Sequence, residues 1–220
     1  EKAMTALKFS ADHEVDFVAL STVTCKKDVE TARRILVDLG MEPYIISKIE
    51  RAEALEQFDS ILEASDSIMV ARGDMGVEVR MAQVPVNQKD LISKSNLKGK
   101  PVITATQMLE SMVNSSVPTR AEVTDVANAI FDGTDAIMLS GETSVGQYPV
   151  ESVKVMSEVA IEAERALPYD RMIVEKRDQL EPQTDDAISY DACQTAHQLA
   201  ASVIVAFTES GSTAGRVSKY

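Results

Sequence analysis

The stretch SIMVARGDMGVEV, Ser67–Val79, holds an apolar run that stops abruptly at Arg72. The run from Ser67 to Ala71 carries no charge, so it has the pattern of a strand that is buried on both faces. Arginine, glycine and aspartate follow at once, and Gly76 comes two residues after Asp74. A flexible backbone and a carboxylate after a buried strand indicate either a turn with a surface ion pair or part of a binding site.

The same kind of run recurs along the chain and predicts further buried strands. These lie at Val15 to Val23, Pro43 to Ser47, Pro101 to Ala105 and Asp135 to Leu139. Stretches with helical periodicity separate them, and the stretch PTRAEVTDVANAIFDG begins with a capping box of Thr119 and Glu122. Strands that alternate with helices and are apolar on both faces predict a parallel sheet and an α/β fold. The pattern leaves open whether the sheet is an open doubly wound sheet or a closed barrel.

The composition predicts a soluble protein without nucleic-acid or membrane partners. The 220 residues carry a formal net charge of −13, and Lys and Arg form no cluster that suits phosphate groups. The apolar runs are far shorter than a transmembrane helix requires. Cys25 and Cys193 match no metal-ligand spacing, and the first residues are unlike a signal peptide. We therefore expect reduced thiols and a cytoplasmic location.

Residues 168–184 are polar and flanked by proline, which predicts a linker. The linker would separate an α/β domain, residues 1–167, from the beginning of a second domain, residues 185–220. In the second domain we expect a helix from Asp185 to about Ala200 and a strand from Ser202 to Phe207. Because the chain begins without methionine and ends within an apparent helix, we expect it to be a piece of a longer protein.

Polar residues collect at the carboxyl ends of four predicted strands, where active sites lie in both open α/β sheets and barrels. The four ends are Ser47–Glu50, Arg72–Asp74, Thr104–Gln107 and Ser140–Thr143. Lys48 and Glu50 are two residues apart on an extended segment, so their side chains point the same way. Each end taken alone is equally well explained by a salt bridge or by hydroxyls bonded to backbone. Together the ends predict a site.

The residues at these ends suit a cation and an anionic substrate. Glu50 and Asp74 could hold one divalent cation, since Mg²⁺ takes one or two carboxylates with water and substrate oxygens. Lys48 would supply a fixed positive charge for a phosphoryl group or a developing enolate. Gly73 and Gly76 let backbone amides turn toward a carboxylate or phosphate. The site therefore predicts a phosphorylated or keto-acid substrate.

Five quoted stretches carry a resemblance to a known family. They are IISKIE, IMVARGDMGVE, KPVITATQMLESM, PTRAEVTDVANAIFDGTDAIMLSGET and YPVE. They closely resemble the pyruvate kinase family, and the likeness runs over essentially the whole chain. It implies a (β/α)8 barrel of the TIM type, here incomplete, with the five predicted strands as its fourth to eighth. The tail would open the carboxyl-terminal regulatory domain.

The resemblance implies phosphoryl transfer from phosphoenolpyruvate to ADP, followed by protonation of the enolate to pyruvate, as in glycolysis. Glu50 and Asp74 match the ligands of Mg²⁺ or Mn²⁺, and Lys48 matches the lysine that stabilises the phosphoryl group and the enolate. K⁺ is also implied, with ligands from strands that this sequence does not contain. The resemblance further implies a cytoplasmic homotetramer.

The same resemblance assigns the remaining site residues. The implied catalytic residues are Lys48, Thr106, Ser140 and Glu142. The implied substrate-binding residues are Lys48, Arg72, Gly73, Asp74 and Thr106. Ser140 and Glu142 match a polar group that relays the proton through water, and Arg72 matches a residue that orients the metal loop. Arg120 matches a supporting residue where barrels meet across a subunit contact.

Two other functions are compatible with the residues. A metal-dependent keto-acid lyase or aldolase also places Glu and Asp at barrel strand ends, but it would cleave carbon–carbon bonds without a nucleotide. A non-catalytic truncated chain that acts as a binding or assembly module is the other alternative, because five barrel strands leave two unpaired edges. We expect the chain by itself to lack activity.

Overall fold

The computed structural model describes residues 2–177, 183–209 and 211–220. One parallel sheet lies at its centre, with neighbours in the order β1-β2-β3-β4-β5. The strands are β1 Phe17–Leu20, β2 Tyr44–Ile49, β3 Ser67–Ala71, β4 Val102–Ala105 and β5 Ala136–Met138. All four neighbouring pairs are parallel. The five strands predicted for residues 1–167 and the α/β fold are therefore confirmed.

Helices connect the strands and continue to the carboxyl end. They are α1 Lys2–Asp12, α2 Lys26–Asp38, α3 Ala52–Glu56, α4 Phe58–Ala64, α5 Arg72–Glu78, α6 Val84–Leu97, α7 Arg120–Phe131, α8 Gly141–Ser144, α9 Pro149–Arg165, α10 Tyr169–Arg177, α11 Thr184–Gln198 and α12 Ser212–Ser218. The predicted capping box begins α7: the Thr119 hydroxyl accepts from the Glu122 amide at 3.3 Å. In return, the Thr119 amide donates to Glu122 Oε2 at 2.7 Å. This start of α7 is as predicted.

The two faces of the sheet have different surroundings. Ile45, Ile68 and Val102 belong to a large core that includes residues of α2, α4 and α6. On the opposite face, Ile46 and Met69 form a small apolar cluster with Ala105. Side chains alternate along a strand, so the residues two and four positions after Ile46 share its face. Those residues are Lys48 and Glu50, the site candidates at the end of β2. They lie on the face opposite the large core, and both point the same way as the sequence predicts.

The segment from Ser202 to Phe207 departs from the sequence-based prediction. Residues 202–207 do not form a strand, and Phe207 is 94% exposed. A strand is stabilised by ladder hydrogen bonds to a neighbour, and none of the described strands lies beside this segment. The apolar, β-branched composition of the segment was therefore not sufficient to make it a strand.

The predicted linker has structure in its first half. Helix α10 occupies residues 169–177, and Ile173 on it is buried. Residues 178–182 of the predicted linker lie outside the described residues. The next helix, α11, agrees closely with the predicted helix from Asp185 to about Ala200. Within the ranges that the structure covers, no helix has the length and apolar character to span a lipid bilayer.

Candidate active site

Parallel pairing brings the carboxyl ends of the central strands to one edge of the sheet. Ile49 at the end of β2 lies opposite Val70, and Ala71 at the end of β3 lies opposite Ala105 at the end of β4. Helix α5 begins directly after β3, which puts Asp74 in its first turn. The structure therefore gathers the predicted residues of three strand ends at this edge.

Glu50 is a buried carboxylate, and one of its two oxygens accepts no hydrogen bond from the described residues. Its side chain is 6% exposed, and Oε1 accepts a 2.6 Å hydrogen bond from the Thr22 amide. Lys48 Nζ lies 3.0 Å from Oε2 and donates to Ser21 Oγ at 3.0 Å. That ammonium is at ion-pair distance but is not aligned for a hydrogen bond, so buried Oε2 accepts none from the described residues. A buried oxygen that accepts no hydrogen bond raises the free energy of the folded protein unless a ligand binds to it.

A divalent cation fits this oxygen. Asp74 is exposed at the end of the next strand, which leaves its carboxylate accessible. Over residues 2–177, 183–209 and 211–220, no group of three or more His, Cys, Asp or Glu side chains is arranged to hold a metal ion. A site with one or two carboxylates that relies on water and substrate for its other ligands is the kind that Mg²⁺ prefers. Glu50 and Asp74 suit such an open site.

Gly73 and Thr106 connect the ends of β3 and β4. The Gly73 amide donates to Thr106 Oγ1 at 2.7 Å, and that hydroxyl also donates to the Ala105 carbonyl at 2.6 Å. A Cβ atom at position 73 would lie 3.3 Å from Thr106 Oγ1, so a larger residue would crowd this contact. The amide that the sequence assigns to a substrate carboxylate is therefore presented toward an acceptor. Thr104, in contrast, is fully buried and its hydroxyl bonds Thr134 Oγ1 at 3.0 Å.

Arg72 lies beneath the edge rather than in the open. It is 8% exposed and forms a 2.6 Å ion pair with Asp125 of α7. Its guanidinium also donates to the carbonyl of Thr106 at 2.7 Å. Arg72 therefore contacts the turn after β4, which is the segment that it can support.

Glu142 is fully buried, and both of its oxygens are occupied. Oε1 accepts from the Leu109 amide at 3.0 Å, and Oε2 accepts from the Ser140 amide at 2.8 Å. Ser140 is the N-cap residue of α8. The carboxylate therefore joins the loop after β4 to the end of β5. The role of Ser140 and Glu142 in proton transfer stays a prediction.

Three residues that support the site were not among those predicted from the sequence. Ser21 and Thr22 hold Lys48 and Glu50, and their position at the end of β1 was an available signal. Asp125 had no such signal, because it lies within a helix and is 53 residues from Arg72 in sequence. Arg120, the first residue of α7, is exposed, and its place at a subunit contact stays a prediction.

The fold and the site define a class of protein. The sheet is parallel and has helices on its outer face. Its strands carry a carboxylate, a lysine and a glycine amide at their carboxyl ends. This combination is typical of a barrel-type α/β protein with an anion site. Sequence comparison then gives the family. The family model "Pyruvate kinase, barrel domain" matches residues 1–153, and "Pyruvate kinase, alpha/beta domain" matches residues 186–220. The chain belongs to the pyruvate kinase family.

Individual relatives agree with this result. A protein named pyruvate kinase from Clostridium acetobutylicum is 50% identical over 221 residues, which cover 100% of this chain and 47% of the relative. Proteins of the same name from Staphylococcus epidermidis and Bacillus licheniformis are 50% and 49% identical, over 100% of this chain and 38% of their own length. The chain thus spans less than half the length of these relatives.

Proposed function

We propose that the protein carrying these residues transfers the phosphoryl group of phosphoenolpyruvate to ADP, giving pyruvate and ATP in glycolysis. The observation that carries the proposal is the buried Glu50 oxygen that accepts no hydrogen bond from the described residues, 3.0 Å from Lys48 Nζ. A carboxylate with spare capacity beside an ammonium suits a cation and a phosphoryl group bound together. The resemblance of the strand ends to the family supports the same assignment.

Glu50 and Asp74 would hold the divalent cation, Mg²⁺ or Mn²⁺. When bound, the cation offsets negative charge on the oxygens of the phosphoryl group. Thr22 keeps Glu50 in place through its 2.6 Å amide contact, so the open oxygen is oriented before any ligand arrives. K⁺ belongs to the proposal as a second cofactor, with no ligand assigned among these residues.

Lys48 would act on the transferred group and on the product. In the reaction, an oxygen of the ADP β-phosphate attacks phosphorus, and the bond from phosphorus to the enol oxygen breaks. The electron pair remains on that oxygen as an enolate, whose charge the Lys48 ammonium offsets. Protonation at carbon then gives pyruvate. Lys48 is held for this task by Ser21 Oγ and by Glu50.

Gly73, Asp74 and Thr106 would bind the substrate carboxylate and the reacting carbon. The Gly73 amide donates to Thr106 Oγ1 in this structure, and a carboxylate is a stronger acceptor than a hydroxyl. When the substrate binds, the Gly73 amide would therefore donate its hydrogen bond to the substrate carboxylate instead. The Thr106 hydroxyl would then be free near the carbon that is protonated. Ser140 and Glu142 would line the route by which water delivers the proton.

The proposal includes a cytoplasmic homotetramer. Exposed Arg120 at the start of α7 is the residue that we assign to a contact between barrels. The support for this part comes from the family resemblance and from the accessible position of the residue.

Pyruvate formation in the full-length protein tests the proposed activity. We expect formation from phosphoenolpyruvate to require both ADP and Mg²⁺ and to yield ATP in equal amount. Release of pyruvate from a larger keto acid by carbon–carbon cleavage, without any nucleotide, would favour the keto-acid lyase alternative. No pyruvate from phosphoenolpyruvate in the presence of ADP and Mg²⁺ would contradict the proposal.

A further inference from the structure

The turn after β4 contains two consecutive residues with left-handed backbone. Thr106 has φ +71° and Gln107 has φ +54°. Among the described residues only Glu14, Thr22 and Ala200 are other non-glycine residues with positive φ, and none of these is next to another. A Cβ atom disfavours this conformation, so two in succession must be held by their surroundings.

The guanidinium of Arg72 holds this turn through its carbonyls. Nε and Nη2 donate to the Thr106 carbonyl at 3.2 and 2.7 Å, and Nη2 also donates to the Gln107 carbonyl at 3.1 Å. Arg72 is 8% exposed, so these contacts are made away from water. One planar cation thus bonds the carbonyls of both left-handed residues. A lysine ammonium lacks the fixed fork that makes these contacts together.

Asp125 holds the guanidinium from the opposite side. Its Oδ2 accepts from Arg72 Nη1 at 2.6 Å, and Gln88 Oε1 lies 3.4 Å from the same nitrogen. Asp125 comes from α7, whereas Arg72 comes from α5. Arg72 therefore connects the turn after β4 both to α5, on which it lies, and to α7 through Asp125.

We infer that Arg72 and Asp125 are positioning residues: together they keep Thr106 and Gln107 left-handed and so hold Thr106 Oγ1 against the Gly73 amide. Arg72 acts through the turn and does not bind the substrate, so of the two roles predicted from the sequence the inference keeps the supporting role and replaces the substrate-binding one. The inference rests on the proposed function in one respect, which is that Thr106 acts on the substrate. It also means that a shift of α7 would move the hydroxyl of Thr106.

The test is rescue by a glycine. Arg72→Lys should lower kcat by about 100-fold, the usual effect of a small misplacement, with KM for phosphoenolpyruvate changed by less than about threefold. Gln107→Gly in that background should restore at least about tenfold of the loss, because glycine adopts the left-handed conformation without strain. A rise in KM without rescue would show that Arg72 binds the substrate and would overturn the inference.

Hydrogen exchange at the Gly73 amide gives a second test that needs no enzymatic activity. Arg72→Lys and Asp125→Asn should each speed this exchange by about tenfold, since Thr106 Oγ1 no longer holds the amide. Gln107→Gly in the Arg72→Lys background should slow it again. Gln88→Met removes the 3.4 Å contact to Arg72 and a 3.0 Å hydrogen bond to Asp132 but leaves the Arg72–Asp125 pair, so it is the matched control and should change the exchange by less than about twofold.

The two tests separate this inference from the proposed function. If the full-length protein makes no pyruvate, the proposed function fails while the exchange result still decides the inference. Unchanged exchange in both Arg72→Lys and Asp125→Asn would overturn the inference whatever the activity. If Arg72→Lys does not fold, Asp125→Asn, which keeps the side-chain size and leaves Arg72 in place, decides the exchange test alone.

Discussion

Glu50 and Glu142 are buried glutamates at the same edge of the sheet, and they differ in what their oxygens contact. Glu50 is 4% exposed, and of its two oxygens Oε1 alone accepts a hydrogen bond from the part of the chain that the structure describes. Glu142 is 0% exposed, and backbone amides of Leu109 and Ser140 occupy both oxygens. The residue type and the burial are nearly the same. The number of satisfied oxygens is what distinguishes a candidate ligand from a carboxylate that holds the backbone.

This difference has a physical reason. A buried carboxylate is stable when hydrogen bonds or a cation replace the water that it has lost. At Glu142 backbone amides do so for both oxygens, so this carboxylate needs no further partner. At Glu50 a backbone amide satisfies one oxygen, whereas the other has the Lys48 ammonium at 3.0 Å but no hydrogen bond from the described residues, so it can also bind a metal cation. Each of the following substitutions tests a different side of this comparison.

The largest effect is expected from Glu50→Gln. The change removes the negative charge with which Glu50 is proposed to bind the divalent cation. In the full-length protein kcat should therefore fall on the order of 10²- to 10³-fold, as for loss of a group that stabilises the transition state. The free energy of unfolding without metal should fall by about 1–3 kcal/mol, because the change weakens the hydrogen bond from Thr22 and removes the 3.0 Å ion pair with Lys48. Steady-state kinetics against Mg²⁺ concentration and thermal denaturation measure the two quantities.

The matched control for this change is Glu53→Gln. Glu53 lies three residues further on at the surface, and its ion-pair partner among the described residues is Arg51, 3.7 Å away. Surface ion pairs contribute little, so the control should keep its activity. Equal activity of the Glu50 and Glu53 variants would remove the basis for treating Glu50 as a metal ligand.

A smaller effect, on stability, is expected from Glu142→Gln. The amide nitrogen of Gln cannot accept from a backbone amide, so one of the two buried N–H groups loses its partner. We expect the free energy of unfolding to fall by about 1–3 kcal/mol. Chemical denaturation measures it, with exposed Glu158→Gln in α9 as the control. An unchanged midpoint would mean that Glu142 does not hold the loop after β4.

The smallest effect is expected from Glu122→Gln, a satisfied glutamate nearer the surface. Burial raises the pKa of Glu122, but hydrogen bonds from Ser111 and Thr119 outweigh it and bring the pKa below its usual value. Loss of the charged cap contact should cost about 1 kcal/mol at pH 7. Denaturation of the parent and the variant at the same pH gives the difference.

The pH dependence of that difference follows from the direction of the pKa shift. A carboxyl with a lowered folded pKa stabilises fully above its unfolded pKa of about 4.3 and loses this contribution as the pH falls through the folded value. The parent should therefore approach the Gln variant in stability at low pH. A constant difference from pH 7 to strongly acidic conditions would contradict the assigned cap.

Much of the fold could be predicted because it depends on local patterns. The five buried runs became the five strands, and the capping box at Thr119 began α7 as predicted. The segment Ser202–Phe207 has the same local pattern but is not a strand. Its outcome depends on a neighbouring strand, and a local pattern carries no information about a neighbour.

The sequence by itself determined the α/β class, the strand ends that carry polar residues, and the family. Strand periodicity and chain order fix the class and the polar strand ends, since parallel strands place every carboxyl end at one edge, whereas the resemblance of the quoted motifs indicates the family. Only the tertiary structure decided that Glu50 keeps an open oxygen while Glu142 does not, and that Arg72 reaches Asp125. These contacts join residues distant in sequence, and their geometry depends on how helices and turns pack around the sheet.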